Sequence, residues 1–302
     1  MAHDHAQHAH GPKQFDRAFA IGIALNLGFV VVEAFYGWQV NSLALLADAG
    51  HNLSDVGGLI LAWAALAATR LLPNDRHTYG WRRGSILASF INSVILLVAM
   101  GLLGWESLQR LQTPVPIVGQ TVMLVAGVGV LVNAVTAWLF LSGSRTDLNL
   151  RGAFLHMAAD ALVSVGVVLA GALYLWRGWS WIDPVVSLMI ALVIVIGTWS
   201  LFRKSLHLLF DGVPEQVDLP AVRQFLLSQP GVCDVHDLHV WAMSTAEVAL
   251  TVHMRMTPLP DDDQFLLATS EALREHFDIA HSTLQLEHDV GYQQGCGMPI
   301  AG

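Results

Sequence analysis

The sequence predicts a membrane-embedded all-α domain of six transmembrane helices, followed by a small cytosolic α+β domain of ferredoxin-like order αββαβ. Three observations carry that prediction. The chain of 302 residues is 54% hydrophobic and only 13% charged, where soluble domains carry about a quarter charged residues. Apolar stretches crowd residues 16–208, whereas the last third has the mixed composition of a soluble fold. That last third also reads helix, strand, strand, helix, strand by its periodicity.

A helix needs roughly 20 apolar residues to cross about 30 Å of hydrocarbon. Six stretches meet this length: Phe15–Trp38, interrupted by Glu33; Leu43–Ala68, containing Asp48, His51 and Asp55; Ile86–Gly104; Val115–Leu141, without charge; Ala153–Leu175, with His156 and Asp160 near its start; and Pro184–Phe202. Orientation follows the lysines and arginines. With the N-terminus inside, the inner segments hold ten (Lys13, Arg17, Arg70, Arg76, Arg82, Arg83, Arg145, Arg151, Arg203, Lys204) and the outer loops two (Arg110, Arg177). Both termini are therefore expected in the cytosol. The division that results is a His-rich N-terminus (1–14), a six-span domain (15–208) and a cytosolic domain (209–302).

In the tail, residues 217–229 read as a helix with Asp218 as N-cap and Pro220 in its first turn, a position where proline is tolerated. Residues 234–242 and 246–256 read as strands. In the second, Val248, Leu250, Val252, Met254 and Met256 alternate with small or polar residues, as in a half-buried strand. Asp261-Asp262-Asp263 is placed to start a helix ending at Phe277, where negative charge is favoured, and Ser282–His288 forms a last strand.

Composition also excludes functions. The net charge is −9 and there is no basic stripe, so no nucleic acid is expected as a partner. Two cysteines, Cys233 and Cys296, make no disulfide framework. The opening Met-Ala-His-Asp-His-Ala-Gln-His lacks the basic start and apolar core of a secretory signal. A membrane metalloprotease would show His-Glu-x-x-His and an ATP-driven pump a Gly-x-x-x-x-Gly-Lys loop, and neither occurs. The chain is thus not expected to be an enzyme.

The chemistry lies in two His-x-x-x-Asp pairs inside apolar stretches, His51/Asp55 and His156/Asp160. A charge at mid-bilayer costs at least about 2.5–3.5 kcal/mol on insertion scales. Residues four apart share a helix face. If the two helices face each other, two imidazoles and two carboxylates converge, a tetrahedral nitrogen and oxygen set that zinc accepts. Two neutral histidines and two carboxylates carry −2, which neutralises a divalent cation. Histidine titrates near neutral pH and carboxylates compete for protons too, so metal and protons contend for the same atoms. Asp48 lies on nearly the same face and reads either as a carboxylate that supports the site or stands at its entry, or as a structural partner. Glu33 has the same two readings.

The stretches Leu-Ala-Asp-Ala-Gly-His-Asn-Leu-Ser-Asp (46–55) and Ala-Phe-Leu-His-Met-Ala-Ala-Asp (153–160) resemble the signatures of cation diffusion facilitator transporters, in particular the bacterial zinc/cobalt/cadmium efflux branch. Arg-His-Thr-Tyr-Gly-Trp (76–81), Trp-Ile-Asp-Pro (181–184), Leu-Leu-Phe-Asp-Gly-Val-Pro (208–214) and His-Asp-Leu-His-Val-Trp (236–241) match as well. The resemblance implies a homodimeric antiporter of a bacterial inner membrane that exports Zn2+, or Co2+ and Cd2+, against protons by alternating access around His51, Asp55, His156 and Asp160. It implies no prosthetic group, with zinc as cargo and as a regulatory ion of the tail.

For the tail it points to His236, His253 and Glu287 as ligands. Strand alternation agrees for His253 and Glu287, but in the first strand it would turn Asp237, His239 and Trp241 outward and so favours His239 over His236. His236 is retained as a residue at the strand start. The loop after the second span offers only Asp75 and His77, too few for the extra metal site of some family members. The tract His3, His5, His8 and His10 can bind metal loosely or have no role. The rival reading is a membrane-bound metal sensor or storage protein without transport.

Overall fold

The computed structural model describes residues 13–69, 74–141, 148–260 and 262–288. His3, His5, His8, His10 and Cys296 lie outside these residues, as do Arg70 and Arg145 of the orientation argument. Six long helices come first: α1 Lys13–Gln39, α2 Leu43–Thr69, α3 Gly84–Gln112, α4 Gly119–Leu141, α5 Leu148–Arg177 and α6 Ile182–Leu209. Among the described residues, four segments are long and apolar enough to cross a membrane: Gly84–Gln112, Gly119–Leu139, Phe154–Arg177 and Ile182–Leu209. α3 continues past the predicted end at Gly104 because its polar last turns carry their own pairing. Arg110 Nε donates to Glu106 Oε1 at 2.9 Å, and Ser107 Oγ donates to the Leu103 carbonyl at 2.8 Å.

The chain divides into two compact units, one drawn from Met1–Ile60 and Asn92–Ser200, the other from Leu61–Ile91 and Leu201–Gly302. The first has the polarity of a protein that faces lipid. Leu102, Leu124, Leu131, Trp138 and Leu162 are exposed, while Glu33, Asp48, Asn133, Asp160 and Asp183 are buried. Hydrocarbon offers no hydrogen bonds, so polar groups must be satisfied inside. Small residues let the helices approach. A Cβ on Gly119 would meet the Gly171 carbonyl oxygen at 3.1 Å, and one on Gly129 would meet the Phe29 ring at 2.8 Å and Ser164 Oγ at 3.2 Å. α4 and α5 therefore run antiparallel in close contact, in the manner of small-residue membrane interfaces.

The second unit contains α7 Leu219–Leu227, β1 Val232–Ala242, β2 Val248–Met256, α8 Gln264–Phe277 and β3 Ile279–His288. The sheet order is β1-β2-β3, with β1 antiparallel and β3 parallel to β2. Asp218 caps α7 as expected, accepting from Ala221 N–H at 3.2 Å. In the acidic run before α8, Asp262 Oδ1 accepts from Gln264 N–H at 3.0 Å, while Asp263 makes no side-chain cap. β3 starts earlier than Ser282, because Ile279 is buried opposite Val248. The alternating face of β2 packs with Val222 and Leu226 of α7 and Leu273 of α8 in one core. The segment before α3 belongs to this unit: Arg82 Nη1 donates to Glu247 Oε2 at 3.0 Å, Ser85 Oγ accepts from Thr245 N–H at 3.1 Å, and Arg83 pairs with Asp211.

The start of α2 is fixed from another helix. Asp183, buried at the start of α6, accepts from Ser42 Oγ at 2.5 Å, Leu43 N–H at 2.8 Å and Ala44 N–H at 3.4 Å. It supplies the negative charge and the acceptors that a helix N-terminus lacks on its own. The Trp-Ile-Asp-Pro motif thus holds the helix that carries His51 and Asp55. Arg110 of α3 adds a bond to the Asn41 carbonyl just before it. Charged hydrogen bonds of this kind are worth about 1.5–3 kcal/mol each, so Asp183→Ala is expected to lower the unfolding temperature of the purified protein clearly more than Ser42→Ala, read by thermal denaturation in detergent.

Candidate metal centre

α2 and α5 bring their paired residues together crosswise. The i,i+4 spacing sets His51 and Asp55 on one face of α2, and His156 and Asp160 on one face of α5. Each histidine then meets the other helix's aspartate. His51 Nε2 lies 3.2 Å from Asp160 Oδ1 and 3.6 Å from Asp55 Oδ2, while His156 Nε2 lies 3.0 Å from Asp55 Oδ2 and 3.7 Å from Asp160 Oδ2. The two imidazoles stand edge to face with centroids 5.9 Å apart.

These separations have a scale to be compared with. Bonds of about 2.0–2.1 Å in tetrahedral geometry set ligand atoms about 3.3–3.4 Å apart. The four nitrogen–oxygen separations, 3.0–3.7 Å, straddle that value. Ligand atoms of His51, Asp55 and Asp160 all lie within 4.8 Å of one another, and His156 approaches this group through Asp55 and Asp160, so four-ligand coordination needs the two imidazoles to draw closer together. The pocket is graded in access. The Asp160 side chain is 2% exposed and that of His156 44%.

Buried polar groups extend from this cluster. Asp48, one turn before His51, accepts from Ser164 Oγ at 2.9 Å; Glu33 of α1 accepts from Asn52 Nδ2 at 3.3 Å. Glu33 and Asp48 are neighbours and both are fully buried. Asp48 also feels the charges of His51 and Asp160. Asp48 is therefore one of the residues around the cluster rather than one of the four that meet at its centre. Its partner Ser164 and the pairing of Glu33 with Asn52 carried no signal in the sequence, since Ser and Asn in a membrane helix are common.

The tail holds a second group of metal-ligand type. His236 Nε2 lies 3.1 Å from Glu287 Oε2, and His253 Nδ1 lies 2.8 Å from Glu287 Oε1. His236 sits directly across from His253 in the β1–β2 register. Strand alternation favoured His239, and the structure shows why it misled. The register shifts between His236 and His239, and Asp237 adopts φ 49°. This bulge inserts a residue and resets the phase. Val235 is buried before it, and Leu238 and Val240 are buried after it, so His236 and His239 both face outward. His239 pairs with Asp237 at 2.9 Å, and Asp237 also reaches His253 Nε2 at 3.6 Å. Asp237 is thus a neighbour of the cluster that an unbroken alternation could not find. In the segment before α3, His77 stacks on Trp81 at 4.4 Å, a packing role, and Asp75 is exposed.

Comparison with known proteins follows the same division. Residues 19–210 match the cation efflux transmembrane domain, and residues 214–289 match the cation efflux protein cytoplasmic domain. The chain is 35% identical over 300 residues to the zinc transporter ZitB of Shigella flexneri, covering 98% of this chain and 96% of that protein. It is 32% identical over 299 residues to the cadmium, cobalt and zinc/H(+)-K(+) antiporter of Bacillus subtilis, covering 96% and 93%. With the metal cation efflux system protein CzcD of Cupriavidus metallidurans it shares 34% over 287 residues, covering 95% and 89%. A solved structure, the metal-bound C-terminal domain of the CzcD transporter from the same organism, is 38% identical over 24% of this chain and 99% of that one, with a TM-score of 0.22. With a family match spanning most of its length and relatives above 30% identity end to end, the chain belongs to the cation efflux family of membrane transporters.

Proposed function

We propose that the chain exports divalent transition-metal ions, Zn2+ first and Co2+ or Cd2+ next, from the cytosol in exchange for protons. The ion is held by His51, Asp55, His156 and Asp160. The observation that carries this reading is the crosswise pairing of two imidazoles and two carboxylates at 3.0–3.7 Å within a lipid-facing helical unit. The donor set neutralises a divalent charge. Imidazole and carboxylate together suit zinc and cobalt better than calcium or copper(I). Proton exchange follows from the same atoms, because the histidines must be neutral and the carboxylates ionised to bind metal.

On this reading α1–α6 are six spans across a bacterial inner membrane with both termini cytosolic. Residues 1–14 are a histidine-bearing N-terminus, 15–208 the transport domain and 209–302 a ferredoxin-like cytosolic domain. The tail domain joins two copies of the chain and binds regulatory zinc through His236, His253 and Glu287. The relatives' names, a zinc transporter and a cadmium, cobalt and zinc antiporter, support the metal class.

Purified protein in liposomes loaded with a zinc indicator provides the test. An imposed pH gradient is expected to drive Zn2+ flux, and zinc binding without flux would instead mean a sensor or store. Asp55→Ala and Asp160→Ala are each expected to abolish flux while the protein remains in the membrane. Binding at the ion site is expected to weaken as pH falls, because protonated imidazole cannot ligate metal. The tail is assayed separately: His253→Ala or Glu287→Ala should each lower the zinc bound per chain in equilibrium dialysis, whereas His239→Ala should not.

A further inference from the structure

α4 contributes none of the four proposed ligands and contains no ionisable residue between Gly119 and Leu141. Yet it holds a side chain with no evident structural partner. Asn133 is fully buried, and neither its Nδ2 nor its Oδ1 has a hydrogen-bond partner among the described residues. A buried amide left unpaired is rare in native proteins and calls for an explanation.

Its position supplies one. Gly119 packs on Gly171 and Gly129 on Ser164, so α4 and α5 run antiparallel with these residues level. Asn133 lies one turn beyond Gly129 on α4, and Asp160 lies one turn before Ser164 on α5. Four residues advance a helix by about 6 Å, which brings Asn133 to the level of Asp160. The neighbouring turns fix its facing. Above it, Gly129 touches Phe29 of α1 and Ser164 of α5; below it, Thr136 Oγ1 accepts from Asn26 Nδ2 at 3.4 Å, and Asn26 in turn reaches Met157 Sδ of α5 at 3.9 Å. Residues 129, 133 and 136 share one face, so Asn133 is directed to where α1, α4 and α5 meet. Asp160 has its own unsatisfied atom there. Its Oδ2 is buried with no hydrogen bond from the described residues, apart from the longer 3.7 Å approach of His156.

We propose that Asn133 is a further residue of the ion site, its amide oxygen giving the divalent cation, or a water the cation retains, a neutral contact from α4 beside Asp160. This inference rests on the ion site proposed above. The chemistry is suitable because an amide oxygen adds a hard donor without adding charge, so the balance of a divalent ion against two carboxylates is kept. Zinc in particular expands from four to five ligands, and groups next to a metal ligand typically change affinity by about 10–100-fold. The same amide makes α4, packed closely on α5, responsive to whether an ion is bound.

The experiment measures Zn2+ flux and equilibrium Zn2+ binding in liposomes containing the full chain, for the wild type, Asn133→Leu, Asn133→Ala, Asn133→Gln and Asp160→Ala. Asn133→Leu and Asn133→Ala should raise KM for zinc about tenfold or more, with protein amount and tail zinc binding unchanged. Asn133→Gln, which keeps a neutral amide oxygen, should recover most of the affinity. Two results overturn the proposal: a KM within about twofold of wild type in the Ala variant, or a Gln variant as impaired as the Leu variant, which would mean that Asn133 only fills space. Asp160→Ala separates the two levels. If it transports like wild type, the ion site itself is wrong. If it is inactive while Asn133→Ala is not, only the role of Asn133 fails.

Discussion

The structure depends on one constraint: buried acidic side chains in the helical unit take their partners from other helices, because the lipid around them supplies nothing. Asp183 answers the open N–H groups of α2, Ser164 answers Asp48, and Asn52 answers Glu33. Each of these bonds crosses between helices, so each also fixes helix position. α2 is held at its start by α6, in its middle by α1 and α5, and the face that carries His51 and Asp55 is thereby set against α5. The cross-pairing of His51 with Asp160 and His156 with Asp55 is the product of that placement. The apolar exterior does not specify a register between α2 and α5. The buried polar bonds do.

This explains what was legible in the sequence. The long apolar helices of a membrane domain follow from hydropathy, and the pairing of His51 with Asp55 and of His156 with Asp160 follows from an i,i+4 spacing that recurs in two apolar stretches. Both signals are periodic, and period is what a sequence displays most directly. The partners of Asp48 and Glu33 come from other helices with no shared period, so they could not be read. Asp183 was visible only as part of a motif; its role at the start of α2 appears once α6 and α2 are side by side. In the tail, alternation worked along β2, where no register shift interrupts it, and failed along β1. A single residue of positive φ at Asp237 shifts the phase, so alternation read from His239 and Trp241 holds beyond it and misses His236 before it, and nothing in His-Asp-Leu-His announces a bulge. The acidic run before α8 was legible only as a run: of its successive aspartates, Asp262 rather than Asp263 makes the bond to Gln264 N–H.

The two metal-ligand clusters differ in a manner that suits different tasks. In the helical unit, Asp160 is nearly inaccessible while His156 is open, so the cluster is deep on one side and reachable on the other. In the tail, His236, His253 and Glu287 are similarly exposed, at 38%, 27% and 25% of their side-chain surface, on one outward face of a sheet. A graded pocket constrains the direction from which an ion arrives, whereas a surface cluster does not. Both rely on rigid elements for geometry, helices in one case and paired strands in the other, as precise ligand sets require.

A transport site must also release what it binds. Each of the four proposed ligands already has a neighbour of opposite type at contact distance, so the metal-free arrangement does not leave isolated buried charges. On the proposed function, binding an ion would exchange histidine–aspartate contacts, and the protons that support them, for metal bonds. The net affinity is the difference between two favourable states and not the full strength of four metal bonds. Removing one aspartate alters both states at once: the cation loses a ligand and a negative charge, and the facing histidine loses the group that holds it in the metal-free form. On the proposed exchange with protons, crosswise pairing matters more than the mere presence of four donors, since it would tie ion release to proton uptake by the same side chains.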